Sequence, residues 1–429
     1  MRNNEEKFPL LRPKEMKTTL RHIFHIDHLI VSALTIAVLG LLVLITVNVE
    51  FLNPVVRAVE SFQMTDVYYR IMHTGETEVS SQITLVDITK LTSRDRDKIA
   101  SVVREISEIG PTALGVDVIF EGLKGNPDAD EELTDAFFGA PANTVLAYKL
   151  TEPDEQTGSF NNAVHSFFAP ITGQTEGTVN VINNPHRSMN NYPMYFILGK
   201  DTVRSITAQL ASMLGVEVDP ELKEHVINYR GTEFPVVEYN ELQQHRDLIA
   251  NHIVFLGSTR EEADKHLTPF GQRPGMEILA YSLLSMIEGA HVYRAPFWQI
   301  LIWALIAGYL TNVLDYFISS ALGRRKSTLM VFITESEFYD KLICFAIMTT
   351  LTFITFMLFV KLDYYVDTVL ALSTIVFIEE GRLIYVGLLA ALKKKFGWKG
   401  VERSLYADDL REVVPQKEEK SETKLLIKK

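Results

Sequence analysis

The chain has 429 residues, 47% of them hydrophobic and 22% charged, with 23 Gly, 16 Pro, one Cys and a formal net charge of −12. That composition excludes a disordered chain, a collagen-like repeat and a disulfide scaffold. The acidity is local: residues 50–296 carry 19 Lys+Arg against 35 Asp+Glu and the remainder 23 against 19, which excludes nucleic acid as a partner of the acidic block, because like charge repels phosphate.

Residues 1–28 form a basic tail with Arg2, Lys7, Arg12, Lys14, Lys17 and Arg21. A first membrane helix is predicted over 29–49. Its uncharged stretch, 29–47, has 19 positions, and at 1.5 Å per residue it spans roughly 28 Å of a ~30 Å bilayer core. It starts late and no small-x-small site follows it, so it reads as an anchor and not as a cleaved leader.

The block 50–296 opens with helical spacing of apolar residues over 54–72, then alternates strand and helix. Strands are predicted at 82–88, 113–120, 144–149, 177–182, 195–198 and 251–257, and helices at 94–109, 130–138, 206–214 and 274–288, with 151–193 otherwise irregular. Nearly continuous apolar runs such as Ala113–Phe120 suit strands covered on both faces. The pattern predicts an α/β domain with a mostly parallel central sheet.

Three further membrane helices are predicted, over 297–320, 342–360 and 366–392, separated by a cytoplasmic loop at 321–341 and followed by a charged tail at 393–429. Arg324, Arg325 and Lys326 follow the second span and Lys393, Lys394 and Lys395 the fourth. With the basic tail, they place both termini inside and 50–296 outside. Cys344 falls in the third span, so the outer domain has no thiol and must hold by core burial alone.

Ligands of open α/β sheets bind beyond the carboxyl ends of the strands. Asp87 ends the first strand, Asp117 and Glu121 lie around the end of the second, Ser258 and Thr259 follow Gly257, and Asp264 and His266 come shortly after. Asp87, Asp117, Glu121, Ser258 and Asp264 are the candidate ligand-binding residues. Their oxygens suit a divalent cation or an acid–base cluster; equally, Asp87 and Asp117 can cap helices or hold turns. No phosphate-cradling loop, zinc motif, nucleophile elbow or dinucleotide fingerprint occurs. No catalytic residue is therefore assigned, and the only cofactor that stays open is that divalent cation. His22, His25 and His28 read as interfacial residues before the first span.

Glu379, Glu380 and Arg382 interrupt the fourth span, and Asp315 lies in the second. A charge at a helix centre costs about 2.5–3.5 kcal/mol on insertion scales, so such residues face protein or water. Glu379 and Arg382 are three apart and can pair, while Glu380 needs another partner. Pairing within the bundle or with Asp315, docking to a partner helix and a proton- or ion-linked role all remain open.

The order of several segments carries a resemblance. They are Thr65-Asp66 to Arg70, Val86-Asp87-Ile88, Ala113–Glu121, Val226–Gly231, Ile253–Ser258, Asp264 with Thr268-Pro269, and Pro274–Ile278 with Ala280 leading into a membrane helix. Over roughly 55–320 the chain resembles the second type of CHASE domain, the cyclase- and histidine-kinase-associated sensory extracellular module of bacteria. The resemblance implies a multi-pass protein of the bacterial inner membrane: one helix, a periplasmic sensor domain, then three helices, with a dimer suggested by signalling relatives. Thr92–Asp97 stands where relatives carry a Trp-Pro-Trp-Arg-like segment, and Asn183–Met189 where they carry an Asp-Gly-Val-x-Arg-like one, which implies a different ligand. Relatives usually continue into a cytoplasmic cyclase, kinase or phosphatase. Residues 393–429, with 11 basic and 7 acidic positions, are too short for such a domain. The expectation is thus a non-enzymatic sensor or signalling-complex subunit, homodimeric or part of a larger complex. It would contact membrane lipids and act through a separate membrane or cytoplasmic partner protein. Two alternatives stand beside it: an extracytoplasmic metal-dependent hydrolase using Asp87, Asp117, Glu121 and Asp264, and a structural or ion-linked subunit of an envelope assembly.

Overall fold

The computed structural model describes residues 22–47, 64–72, 78–124, 126–154, 156–181, 188–217, 224–229, 232–260, 264–290, 292–322, 337–397 and 403–407. Positions 54–63 of the helix predicted over 54–72, the basic residues 2–21 and 324–326, and most of 183–189 and of the tail lie outside them. The chain divides into two compact units. One is Arg57–Arg294 with Phe359–Tyr365, and the other Met1–Val56, Ala295–Leu358 and Val366–Lys429.

The first helix, α1 (Ile26–Val47), belongs to the second unit. The other unit begins with α2 (Met64–Met72) and continues β1 (Ile83–Asp87), α3 (Arg96–Ile109), β2 (Ala113–Val116), α4 (Pro127–Phe138), β3 (Thr144–Asp154), β4 (Ser159–Val164), β5 (Thr175–Thr178), β6 (Tyr195–Leu198), β7 (Asp201–Arg204) and α5 (Ile206–Met213). Then come β8 (Val236–Glu238), β9 (Ile253–Gly257), β10 (Lys265–Thr268), β11 (Gly271–Pro274), α6 (Gly275–Ile287) and β12 (Tyr293–Arg294).

Among the described residues nine strands form one sheet in the order β8-β1-β9-β2-β3-β4-β6-β7, with β5 also on β3. The pairs from β8 to β3, and β3 with β5, are parallel. The second half of β3 instead pairs antiparallel with β4, and β6 with β7. β4 pairs with β6 in parallel, so the parallel part expected from sequence is present and the two antiparallel pairs make the sheet as a whole mixed. The extension was illegible because 151–193 holds Gly, Asn and Pro punctuation and its strands are half-exposed, without a continuous apolar run.

Alternation along the parallel strands sends Val86, Leu114, Val116, Leu146, Val254 and Leu256 into one core with Ile99, Val103 and Ile106 of α3 and Leu133 and Phe137 of α4. The opposite face is covered by α5 and α6. Every residue of β1, β2 and β9 is buried, which is why these strands read as apolar runs. Gly110 ends α3 in the left-handed region (φ 88°), its N–H donating to Ile106 O at 3.2 Å. Asn126 caps α4 ahead of Pro127, and Ser205 caps α5 through Ala208 N at 3.2 Å.

The second unit adds α7 (Phe297–Leu322), α8 (Glu337–Leu362), α9 (Val369–Val376) and α10 (Ile378–Phe396); a two-residue strand, β13 (Tyr364–Tyr365), falls between α8 and α9 and belongs to the sheet-bearing unit. Among the described residues three stretches are long and apolar enough to cross a bilayer: Ile26–Leu44, Phe297–Phe317 and Lys341–Leu362. The single fourth span predicted over 366–392 is corrected to two helices meeting at Phe377 (φ −99°, ψ 15°). The break puts Glu379 and Glu380 in the first turn of α10, where the free N–H groups favour negative charge. At 1.5 Å per residue the eight residues of α9 reach only about 12 Å, and α10 carries charge near both ends. Within this unit α1 packs on α7 and α10, and α9 on α7. Close approach uses small residues: Gly308 faces Ser32 and Thr374, and Gly381 faces Thr35. His28 is fully buried against its neighbours, edge-on to the Tyr309 ring at 5.9 Å.

Candidate functional site

The register β8-β1-β9 sets Glu238, Asp87 and Gly257 side by side at the carboxyl ends of three parallel strands. Asp87 is 3% exposed. Its Oδ1 accepts from Thr89 N at 3.0 Å, from the Thr89 hydroxyl and from Thr259 N at 3.2 Å. Thr89 Oγ1 lies 3.0 Å from Ser258 Oγ. Arg260 bridges two carboxylates, its Nε 3.3 Å from Asp87 Oδ2 and its Nη2 2.8 Å from Glu238 Oε1, and Lys90 also pairs with Glu238. Burial pushes Asp87 up, but hydrogen bonds from Thr89 and Thr259 outweigh it and hold its carboxyl below the usual range. Lys90, more than Arg260, holds Glu238 down as well.

The other predicted residues sit nearby but apart. Asp117 follows β2, and a Cβ at Gly257 would come within 3.1 Å of Asp117 Cβ and 3.0 Å of Met276 Sδ. Tyr192 is buried close enough that Asp117 adds to the upward push burial gives its phenol. Asp264 lies against Gly275 at the start of α6, where an added Cβ would meet its Oδ2 at 2.6 Å, and it is 3.5 Å from His266 Nε2. Glu121 is exposed beyond β2. The fold thus joins Asp87 and Ser258 through Thr89, and sets Asp117 and Asp264 beside the first turn of α6. Among the described residues no three His, Cys, Asp or Glu side chains are grouped to hold a metal ion. What the strand ends do present is an exposed guanidinium with hydroxyl donors around it, suited to a small polar ligand.

Two features escaped sequence reasoning. Arg96 is 1% exposed and pairs with Asp130, and its Nη2 donates to Gly122 O at 2.6 Å while its guanidinium lies 5.0 Å from the Phe168 ring. It clamps the loops that follow β1 and β2, and nothing in the spacing of positions 96 and 130 announces the pair. The second feature is the last turn of α8. Phe359 packs against Tyr69 at 5.2 Å, Tyr68 at 5.4 Å and Tyr365 at 6.4 Å between ring centroids. β13 then pairs in parallel with β12, Tyr293 opposite Tyr364. α2 is held by Asp66, which accepts from Ser188 Oγ at 2.6 Å and Asn190 Nδ2 at 3.1 Å, and by Arg70, which donates to Pro269 O at 2.9 Å.

In the helical unit Arg382 lies 3.0 Å from Asp315 and 3.6 Å from Glu379, the pairing open to it from sequence. Glu380 is exposed, with no partner among the described residues. Asp27, not singled out from sequence, is buried and accepts from Tyr385 OH at 3.0 Å, Ser404 Oγ at 2.7 Å and Leu405 N at 2.7 Å.

The CHASE2 domain family matches residues 35–314, more than half of the chain. No curated protein and no solved structure matches it. An α/β domain inserted between apolar helices, the ordered motif series and this match together place the chain in the CHASE2 domain family, a sensory extracellular domain, as a membrane protein whose large domain is extracytoplasmic.

Proposed function

We propose that the chain is a bacterial sensor or signalling-complex subunit without enzymatic activity or cofactor of its own. Its extracytoplasmic domain binds a small polar ligand or an envelope partner, and its state reaches a separate partner protein through the helices, with both termini cytoplasmic. The observation that carries this reading is Phe359. The last turn of α8 and β13 belong to the sheet-bearing unit, while Glu337–Leu358 of the same helix belongs to the helical one. A rearrangement around Tyr68, Tyr69 and β12 therefore acts on a candidate span directly, and a partner that prefers one arrangement reads it out. An extracytoplasmic hydrolase draws no support from Asp87, whose partners are Thr89, Thr259 and Arg260.

The test is affinity purification from native membranes with quantitative mass spectrometry. The expected result is one co-purifying protein near equimolar amount, whose recovery changes in Phe359→Ala while the chain's own abundance does not. Isolation of the chain with no such protein would overturn the proposal.

A further inference from the structure

The helical unit contains a partly open cavity whose polar residues are Thr311, Asn312 and Asp315 of α7, Lys341 of α8, and Glu379 and Arg382 of α10, the larger share of its surface being apolar. All six belong to one compact unit. Asp315 sits near the end of the apolar stretch Phe297–Phe317, and Lys341 opens the stretch Lys341–Leu362, so the cavity lies at a span boundary, where lipid headgroups lie. Asn312 is 5% exposed, and its Nδ2 has no hydrogen-bond partner among the described residues. A buried amide donor left unmade costs free energy, so a polar ligand atom placed there is favourable.

The charges lining the cavity are mixed and balanced. Arg382 is already engaged by Asp315 and Glu379. Lys341 is exposed, with no partner among the described residues, and the Glu379 side chain is 47% exposed. A purely anionic ligand would meet Lys341 and Asn312 favourably but would face two carboxylates. A purely cationic one would meet the reverse. A ligand carrying one phosphate and one primary ammonium satisfies both sets.

We propose that this cavity binds a phosphoethanolamine group, its phosphate on Lys341 Nζ and Asn312 Nδ2 and its ammonium on Glu379. The primary ammonium matters, because a quaternary one cannot donate hydrogen bonds to a carboxylate.

The experiment is native mass spectrometry of the purified full-length chain titrated with phosphatidylethanolamine, phosphatidylcholine and phosphatidylglycerol, with and without free phosphoethanolamine as competitor. Phosphatidylethanolamine should bind best. Its affinity should fall about tenfold in Glu379→Gln and in Lys341→Ala, as the loss of one charged hydrogen bond requires. Asn312→Leu, near-isosteric and apolar, should weaken it too, while thermal unfolding reports whether each variant still folds. Displacement by free phosphoethanolamine would assign the site to the soluble group, and resistance to it would assign the site to the lipid. Equal binding of the three lipids, preference for phosphatidylglycerol, or retention unchanged in all three folded variants would overturn the proposal.

Discussion

At the scale of single residues, the domain rests on charges placed where water is absent. Arg96 and Asp130 are both buried, and Arg96 also satisfies Gly122 O. Removing one partner strands the other charge, so Arg96→Met should cost about 3–5 kcal/mol in denaturant unfolding. Arg96→Met combined with Asp130→Leu should recover part of that loss. Asp87 supplies a pH dependence with a definite sign. Its folded-state pKa is depressed, so its contribution is fully present above the unfolded value of about 3.9 and is lost as pH falls through the folded value. Stability measured against pH should show a constant gap between wild type and Asp87→Asn from about pH 5 to 7, closing below about pH 4. Glu277, pushed up by burial against the pull of Arg273, works oppositely and loses stability as pH rises through its folded value.

At the scale of elements, helices in the second unit meet through small residues beside apolar clusters around Tyr385 and Ile375. A Cβ at Gly381 would collide with Thr35 Oγ1, and one at Gly308 would stand 2.9 Å from Ser32 Oγ. Gly381→Val should therefore separate α1 from α10 and lower the melting temperature of the detergent-solubilised protein, whereas Gly387→Val, with nothing within 4 Å, should not. Equal effects of the two would show that the packing is elsewhere. The break at Phe377 belongs to this scale too. Apolar composition around Ile375 and Leu383 reads as one long helix, but the two adjacent carboxylates prefer a helix start, and the backbone supplies one.

For the molecule as a whole, charge asymmetry and the inserted domain combine into a topology that can be measured. In a Cys344→Ala background, a cysteine at Ser421 should react with a membrane-impermeant thiol reagent only after the membrane is opened. One at Tyr293, an exposed residue of the sheet-bearing unit, should react without that treatment. Labelling of both from outside would place the tail with the domain and remove cytoplasmic signalling by that segment.

The sequence by itself determined the α/β class, the apolar helices on either side of an acidic domain, and the family, because each is written in local composition or in the order of short segments. Buried strands must be apolar wherever they sit, and a span must be long and uncharged. Asp87 and Ser258 were legible as strand-end residues for the same reason. Only the tertiary structure decided that Thr89 and Arg260 complete that cluster, that Asp117, Asp264 and Glu121 stand apart from it, that Arg96 meets Asp130 and that Phe359 packs with Tyr69. Arg96 and Asp130 are 34 residues apart and Phe359 and Tyr69 are 290 apart, and the energy of such contacts comes from burial that exists only once the sheet and helices have assembled. The antiparallel edge and the division at Phe377 were hidden for a related reason: pairing partners and helix ends are set by neighbours, not by the residues' own pattern.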